Sequence, residues 1–153
     1  TEPASSRSAS DSSSSIPETV AQLRQRFETG VTRSREWRLR QLDGFTKFLT
    51  EREGEILEAL HADLGKPPLE ALAAEVAFTL GEIREFKKHL KDWMKPEKVS
   101  TPLLTQPGKS FIVREPLGVV LVIAPWNYPF QLAIAPAIAA VAAGHTVLPK
   151  PSA

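Results

Sequence analysis

The chain has 153 residues, enough for one domain with a sizeable core, and 42% hydrophobic and 24% charged residues is an ordinary globular balance. A formal net charge of +1 gives no electrostatic footing for nucleic acid, which calls for a basic patch or stripe. With no cysteine, the chain has no disulfide, no thiolate metal site and no thiol nucleophile of its own; no metal is expected.

The sequence opens at Thr1 rather than Met and stops just after "KPSA", which reads as a trimmed chain or a piece of a longer one. Residues 1–15, "TEPASSRSASDSSSS", are Ser-rich and nearly free of apolar side chains. Burial cannot offset their ordering entropy, so a disordered tail is expected, with a transit-peptide remnant as the alternative. Residues 16–95 read as three amphipathic helices. Ser15 and Glu18 have capping-box spacing, Pro17 sits in the first turn, Ile16, Val20, Leu23 and Phe27 share a face, and Gly30 ends the first helix. A second helix is expected over Thr32–Leu64, with Trp37, Leu42, Phe45, Leu49, Ile56, Leu57 and Leu60 inward and Gly65 as its C-cap. A third runs from about Leu69 to Met94 with Leu72, Val76, Leu80, Ile83, Phe86, Leu90 and Trp93 on its apolar stripe. Trp37 and Trp93 read as core, His61 and His89 as solvated, and the charged faces as outer surface with nothing catalytic on them.

Residues 96–115 are extended, and "QPGK" reads as a turn between two short strands. From Pro116 to Pro149 no side chain is Asp, Glu, Lys or Arg. That stretch divides into "LGVVLVIA" (a buried strand), the loop "PWNYP", "FQLAIAPAIAAVAAG" (a helix stopped by Gly144) and "HTVLPK" (a second strand). Strand, Ala-rich helix, strand is the βαβ unit of a parallel sheet. A membrane span is the alternative for so uncharged a run, but Pro125, Pro129 and Pro136 and the polar Asn127 and Gln131 interrupt it. The fold class is therefore α/β: N-terminal helices, then the first βαβ unit of a Rossmann-like parallel sheet.

Ligands of open α/β sheets bind beyond the carboxyl ends of the strands, where residues 124–130 lie. The Asn127 amide, fenced by Pro125 and Pro129, suits an oxygen that gains negative charge, although Pro- and Asn-rich turns are also common for structural reasons alone.

"EPLGVVLVIAPWNYPFQLAIAPAIAAVAAGHTVLPKPSA" resembles the front of the coenzyme domain of aldehyde dehydrogenases. "GVTRSREWRLRQL", "ADLGKPPLEA" and "KDWMKPEK" are similar to class 3, plant-like members. The resemblance covers Ile16 to Ala153, about a third of a full family member. It implies an incomplete aldehyde dehydrogenase fold, with residues 116–153 beginning the coenzyme-binding domain and residues 96–115 as oligomerisation strands of a homodimer.

It also implies NAD- or NADP-dependent oxidation of a fatty or medium-chain aldehyde to a carboxylic acid. Asn127 would hold the carbonyl oxygen at the thiohemiacetal step, and Ile123, Ala124, Pro125 and Trp126 would line the nicotinamide side of the cofactor. Tyr128 would face the aldehyde, and Lys150 and Ser152 of the "KPS" turn would meet the adenosine ribose. A cysteine nucleophile and a glutamate base belong to the family reaction, so residues 1–153 alone are expected to be inactive. Three positions depart from the family pattern. His145 stands for an Asn and reads as a polar turn residue tolerant of left-handed backbone. Pro149 replaces a Leu and is expected to bend the second strand. Ala153 replaces a Glu that would accept from the ribose, which leaves NADP open. The compartment is read as cytoplasm, or alternatively plastid. The alternative function is a non-catalytic truncated partner or a membrane-associated helical protein.

Overall fold

The computed structural model describes residues 15–152. The Ser-rich tail therefore lies outside the described residues, apart from Ser15. Ser15 Oγ accepts from the Glu18 amide and Glu18 Oε2 accepts from the Ser15 amide at 2.8 Å, so the capping box is closed. Helix α1 (Ile16–Glu28) follows, with Val20, Leu23 and Phe27 half-buried and Ile16 exposed.

The helix expected over Thr32–Leu64 is three pieces. A 3-10 turn (Val31–Arg33) precedes α2 (Arg35–Glu51), which Ser34 caps through the Trp37 amide at 3.1 Å. Arg52 then leaves helical geometry (φ −107°, ψ 14°) with its guanidinium on Glu55, and α3 (Glu53–Leu64) begins. No Pro marks the break, and Gly54 lies two residues beyond it, so periodicity runs straight across it. Gly65, at φ 63°, caps α3 as expected.

The third helix is likewise compound: α4 (Pro68–Ala71), a π-helical segment (Leu72–Ala77) and α5 (Phe78–Trp93). Leu42, Leu49, Ile56, Leu60, Val76, Ile83 and Leu90 from α2, α3 and this rod close a core with Ile138 of α6 (Pro129–Ala143). Trp93 departs from the expectation of a core residue. It is 52% exposed, edge-on to Phe86 and stacked with His89 at 5.6 Å. His89 is correspondingly half-buried, also within 3.2 Å of Glu85, whereas His61 is exposed.

Strands β1 (Glu97–Val99) and β2 (Ser110–Ile112) pair antiparallel and are joined by residues 100–109, which hold a 3-10 turn (Leu103–Thr105) and, within the expected "QPGK", a turn closed by the Gly108 amide on the Thr105 carbonyl at 2.9 Å. β3 (Val119–Ile123) and β4 (Thr146–Lys150) pair parallel, from Val119 opposite Thr146 to Ile123 opposite Lys150, with α6 as the crossover. Thr146 Oγ1 donates to the Leu23 carbonyl at 3.2 Å and ties β4 to α1. The ladder carries on through Pro149 without the expected bend. Thr146 donates its amide to Gly118 and Ala124 donates to Lys150, so even-numbered residues of β4 face β3 and the missing Pro149 donor points away.

At the other end of α6 the left-handed step belongs to Gly144 (φ 94°), and His145 has no positive φ. His145 lies instead with Nδ1 3.3 Å from the Gly118 amide. Among the described residues, no helix is long and apolar enough to cross a membrane.

A candidate active-site loop at the strand ends

β3 and β4 are parallel and end side by side, so their carboxyl ends lie at the same edge of the sheet, where ligands of open α/β sheets bind. The Ala124 amide donates to the Lys150 carbonyl at 3.1 Å, one step past the ladder, and this fixes the start of the loop 124–130 beside the "KPS" turn. The structure places the sequence-expected site residues at and just beyond the paired strand ends, where Ile123 lies opposite Lys150. Ile123 is 69% exposed at the strand tip, Ala124 is buried, and Pro125, Trp126, Asn127 and Lys150 are exposed. Ser152 is half-buried two residues beyond Lys150. Tyr128 is half-buried at the N-cap of α6, with its ring under the Lys66 ammonium, 4.0 Å from Nζ to the ring centre.

An apolar cleft of about 380 Å³ lies beside the loop, between α2, α3 and α6. Phe48, Ile56, Leu60, Trp126, Phe130 and Ile134 line it, and Phe48 and Phe130 stack at 6.4 Å. Trp126 faces this cleft, whereas Tyr128 does not line it.

What sequence reasoning missed is the machinery under the loop. Helix α6 has no side-chain cap of its own, and its first amides would be orphaned. Glu75, 0% exposed and from the π-helical segment, supplies the acceptor: its Oε2 takes the Phe130 amide at 2.9 Å and the Gln131 amide at 3.1 Å. A carboxylate at a helix N-terminus also meets the positive end of the helix dipole. The other oxygen of Glu75 is ion-paired with Lys66, itself 8% exposed, whose Nζ also lies 3.4 Å from the Asn127 carbonyl.

The opposite end of α6 is held by Arg38, also buried. Its Nη1 donates to the Ala142 carbonyl at 3.2 Å and its Nε to the Thr32 carbonyl at 3.1 Å. Burial moves this guanidinium below its ordinary pKa, while a cation at a helix C-terminus is favourable. The expectation that charged side chains stay on the outer helix faces is therefore corrected at Arg38, Lys66 and Glu75. Arg38 and Glu75 satisfy backbone groups that α6 leaves open, and Lys66 pairs with Glu75 and reaches the Asn127 carbonyl in the loop. A readable signal existed for Glu75: it adjoins Val76 on the apolar stripe, where a carboxylate demands a partner.

The cofactor that the family resemblance implies meets suitable chemistry here. Ile123 and Trp126 offer exposed apolar surface beside the polar Asn127 amide, and Lys150 and Ser152 offer hydrogen-bond donors suited to ribose hydroxyls.

Comparison with known proteins agrees with this architecture. The aldehyde dehydrogenase family model matches residues 3–153. The chain is 50% identical over 133 residues to aldehyde dehydrogenase family 3 member H1 of Arabidopsis thaliana, covering 87% of this chain and 28% of that protein. It is 49% identical to family 3 member I1, chloroplastic, of the same plant, covering 87% and 24%. Among solved structures, a substrate-bound AldH of Staphylococcus aureus superposes with a TM-score of 0.88 at 45% identity, covering 91% of this chain and 30% of that one. The chain thus spans under a third of the length of these relatives. With the family model matched almost end to end, over residues 3–153, the chain belongs to the aldehyde dehydrogenase family.

Proposed function

We propose that residues 1–153 are the cofactor-side portion of an NAD- or NADP-dependent enzyme that oxidises fatty or medium-chain aldehydes to carboxylic acids. The observation that carries this reading is the Asn127 loop, anchored at the carboxyl ends of β3 and β4 with Asn127 exposed.

In this reading Asn127 Nδ2 donates to the aldehyde oxygen as that oxygen gains negative charge. Because Pro125 and Pro129 restrict the loop on either side, little reorganisation accompanies the reaction. Ile123, Ala124, Pro125 and Trp126 present the surface against which the nicotinamide lies, Lys150 and Ser152 hold the ribose, and Tyr128 borders the aldehyde. NAD or NADP, when bound, accepts hydride from the substrate. The thiol nucleophile comes from outside this chain, which contains no cysteine. Residues 16–95 then form the helical N-terminal part of the coenzyme domain, whose Rossmann-like portion begins at 116. Residues 96–115, with Phe111 and Ile112 exposed, serve a homodimer contact. Cytoplasm or plastid is the compartment, and the chloroplastic relative keeps the second in play.

The test compares aldehyde-dependent formation of the reduced cofactor by this chain and by the longest product of the same gene. Activity in the long product alone supports the reading. Activity in the short chain would mean catalysis without cysteine and would refute the mechanism. Activity in neither would favour a non-catalytic partner.

A further inference from the structure

The Lys66–Glu75 pair takes no part in the reaction as derived, yet it is the most deeply buried ion pair among the described residues, with side-chain exposures of 8% and 0%. Stability is a weak reason for such a pair, because replacing buried ion pairs by well-packed apolar residues is often neutral or stabilising. Its contacts point to a different task. Apart from the pair's own bond, each side-chain contact of these two residues ends on the loop or on the first turn of α6. Lys66 Nζ lies 3.4 Å from the Asn127 carbonyl and 4.0 Å over the Tyr128 ring. Glu75 Oε2 accepts from the amides of Phe130 and Gln131. The backbone is thus gripped at residue 127 and again at 130 and 131, with the Asn127 side chain between those grips and the β3 anchor at Ala124.

The two residues also sit at irregularities of the chain. Lys66 follows the left-handed Gly65, and Glu75 belongs to a six-residue π-helical segment. Such segments interrupt α-helices frequently at functional sites. A helix needing only a cap could carry Ser or Asp at its own N-cap. Here Tyr128 holds that position, and the acceptor comes from 55 residues upstream together with a lysine that reaches the reacting residue's own carbonyl.

We propose that Lys66 and Glu75 are positioning residues, which set where the Asn127 amide stands relative to the aldehyde oxygen. This rests on the reading of Asn127 given above. Displacement of a catalytic group by about 1 Å can cost on the order of 100-fold in rate. Lys66→Met and Glu75→Gln are therefore expected to lower kcat by about 10- to 100-fold.

The test uses the longest gene product that carries this segment, with rates normalised to folded protein. Both variants should lose kcat while NAD+ affinity, read by fluorescence quenching, stays within about twofold, and Lys66→Arg should recover much of the loss. Combined with Asn127→Ala, Glu75→Gln should cost little more than Asn127→Ala alone, since a positioning residue has no effect once its target is gone. Additive losses would overturn the proposal, as would full kcat in both single variants. If neither Lys66→Met nor Glu75→Gln folds while Lys66→Arg keeps full kcat, the pair serves stability and the proposal fails. A wild-type product without aldehyde oxidation would instead refute the functional reading itself.

Discussion

Gly144→Ala tests how tightly the C-terminus of α6 is closed. Gly144 is buried at φ 94°, and an added Cβ would stand 2.5 Å from Nη2 and 2.7 Å from Cζ of Arg38. The left-handed conformation costs a non-glycine residue roughly 1–2 kcal/mol. The clash adds to this, because the guanidinium must leave a position where it donates to Thr32 and Ala142. Hydrogen bonds involving a charged group contribute about 1.5–3 kcal/mol each. Even if Arg38 keeps one of the two, the sum is about 2.5–5 kcal/mol. Guanidinium chloride unfolding followed by far-UV circular dichroism would measure it. Gly54→Ala is the control, since that glycine lies inside α3 with open space around its Cα, and alanine there should stabilise by up to about 1 kcal/mol. A Gly144→Ala loss below about 1 kcal/mol would refute the account, because the backbone term alone exceeds it.

Two other expectations concern the surface and the core. Hydrogen bonding to Arg52 holds the Glu55 carboxyl below its ordinary pKa, and Lys95 does the same for Asp92, with 2.6 Å between Nζ and Oδ1. Because the folded values are depressed, these pairs favour the folded state above the ordinary carboxylate range and lose that effect as pH falls through the folded values. NMR titration of the side-chain carboxyl carbons should show both midpoints below normal and Glu55 returning to normal in Arg52→Ala; an unchanged Glu55 midpoint would contradict the assignment. Leu42→Ala removes a fully buried side chain from the core shared by α2 and α6 and should cost about 2–5 kcal/mol in the same unfolding assay. A loss under about 1 kcal/mol would mean that the site collapses or is already hydrated.

Local chemistry was readable where it depends on neighbours in sequence. The Ser15–Glu18 box, the glycine stops at 30, 65 and 144, the turn between β1 and β2, and the strand–helix–strand unit all follow from spacing within a few residues. The positions of Asn127, Trp126 and Lys150 at or beyond the same strand ends follow from the parallel pairing that this unit implies. What stayed hidden depends on partners far away in the chain. Arg38 looks like any surface arginine until the Ala142 carbonyl, 104 residues on, is placed against it. Lys66 drew no reading from its neighbours, because the Asn127 carbonyl it meets lies 61 residues further on. The break at Arg52 was invisible for another reason: α2 and α3 keep similar apolar spacing on both sides of one non-helical residue.

The π-helical segment has a consequence for how the rod from Pro68 to Trp93 is encoded. Its deeply buried apolar positions are Ala71, Val76, Ile83 and Leu90, so the count is five across the π turn and seven thereafter. In a regular helix each residue advances the face by about 100°. The wider turn absorbs about one such step, which is why Ala71 is wholly buried while Leu72, the residue that an unbroken count would select, is only half-covered. One surplus residue has thus been stored in the rod without rotating either flank out of register. The carboxylate under the loop 124–130 is written into that surplus, so the rod keeps one count for its packing and another for the loop it supports.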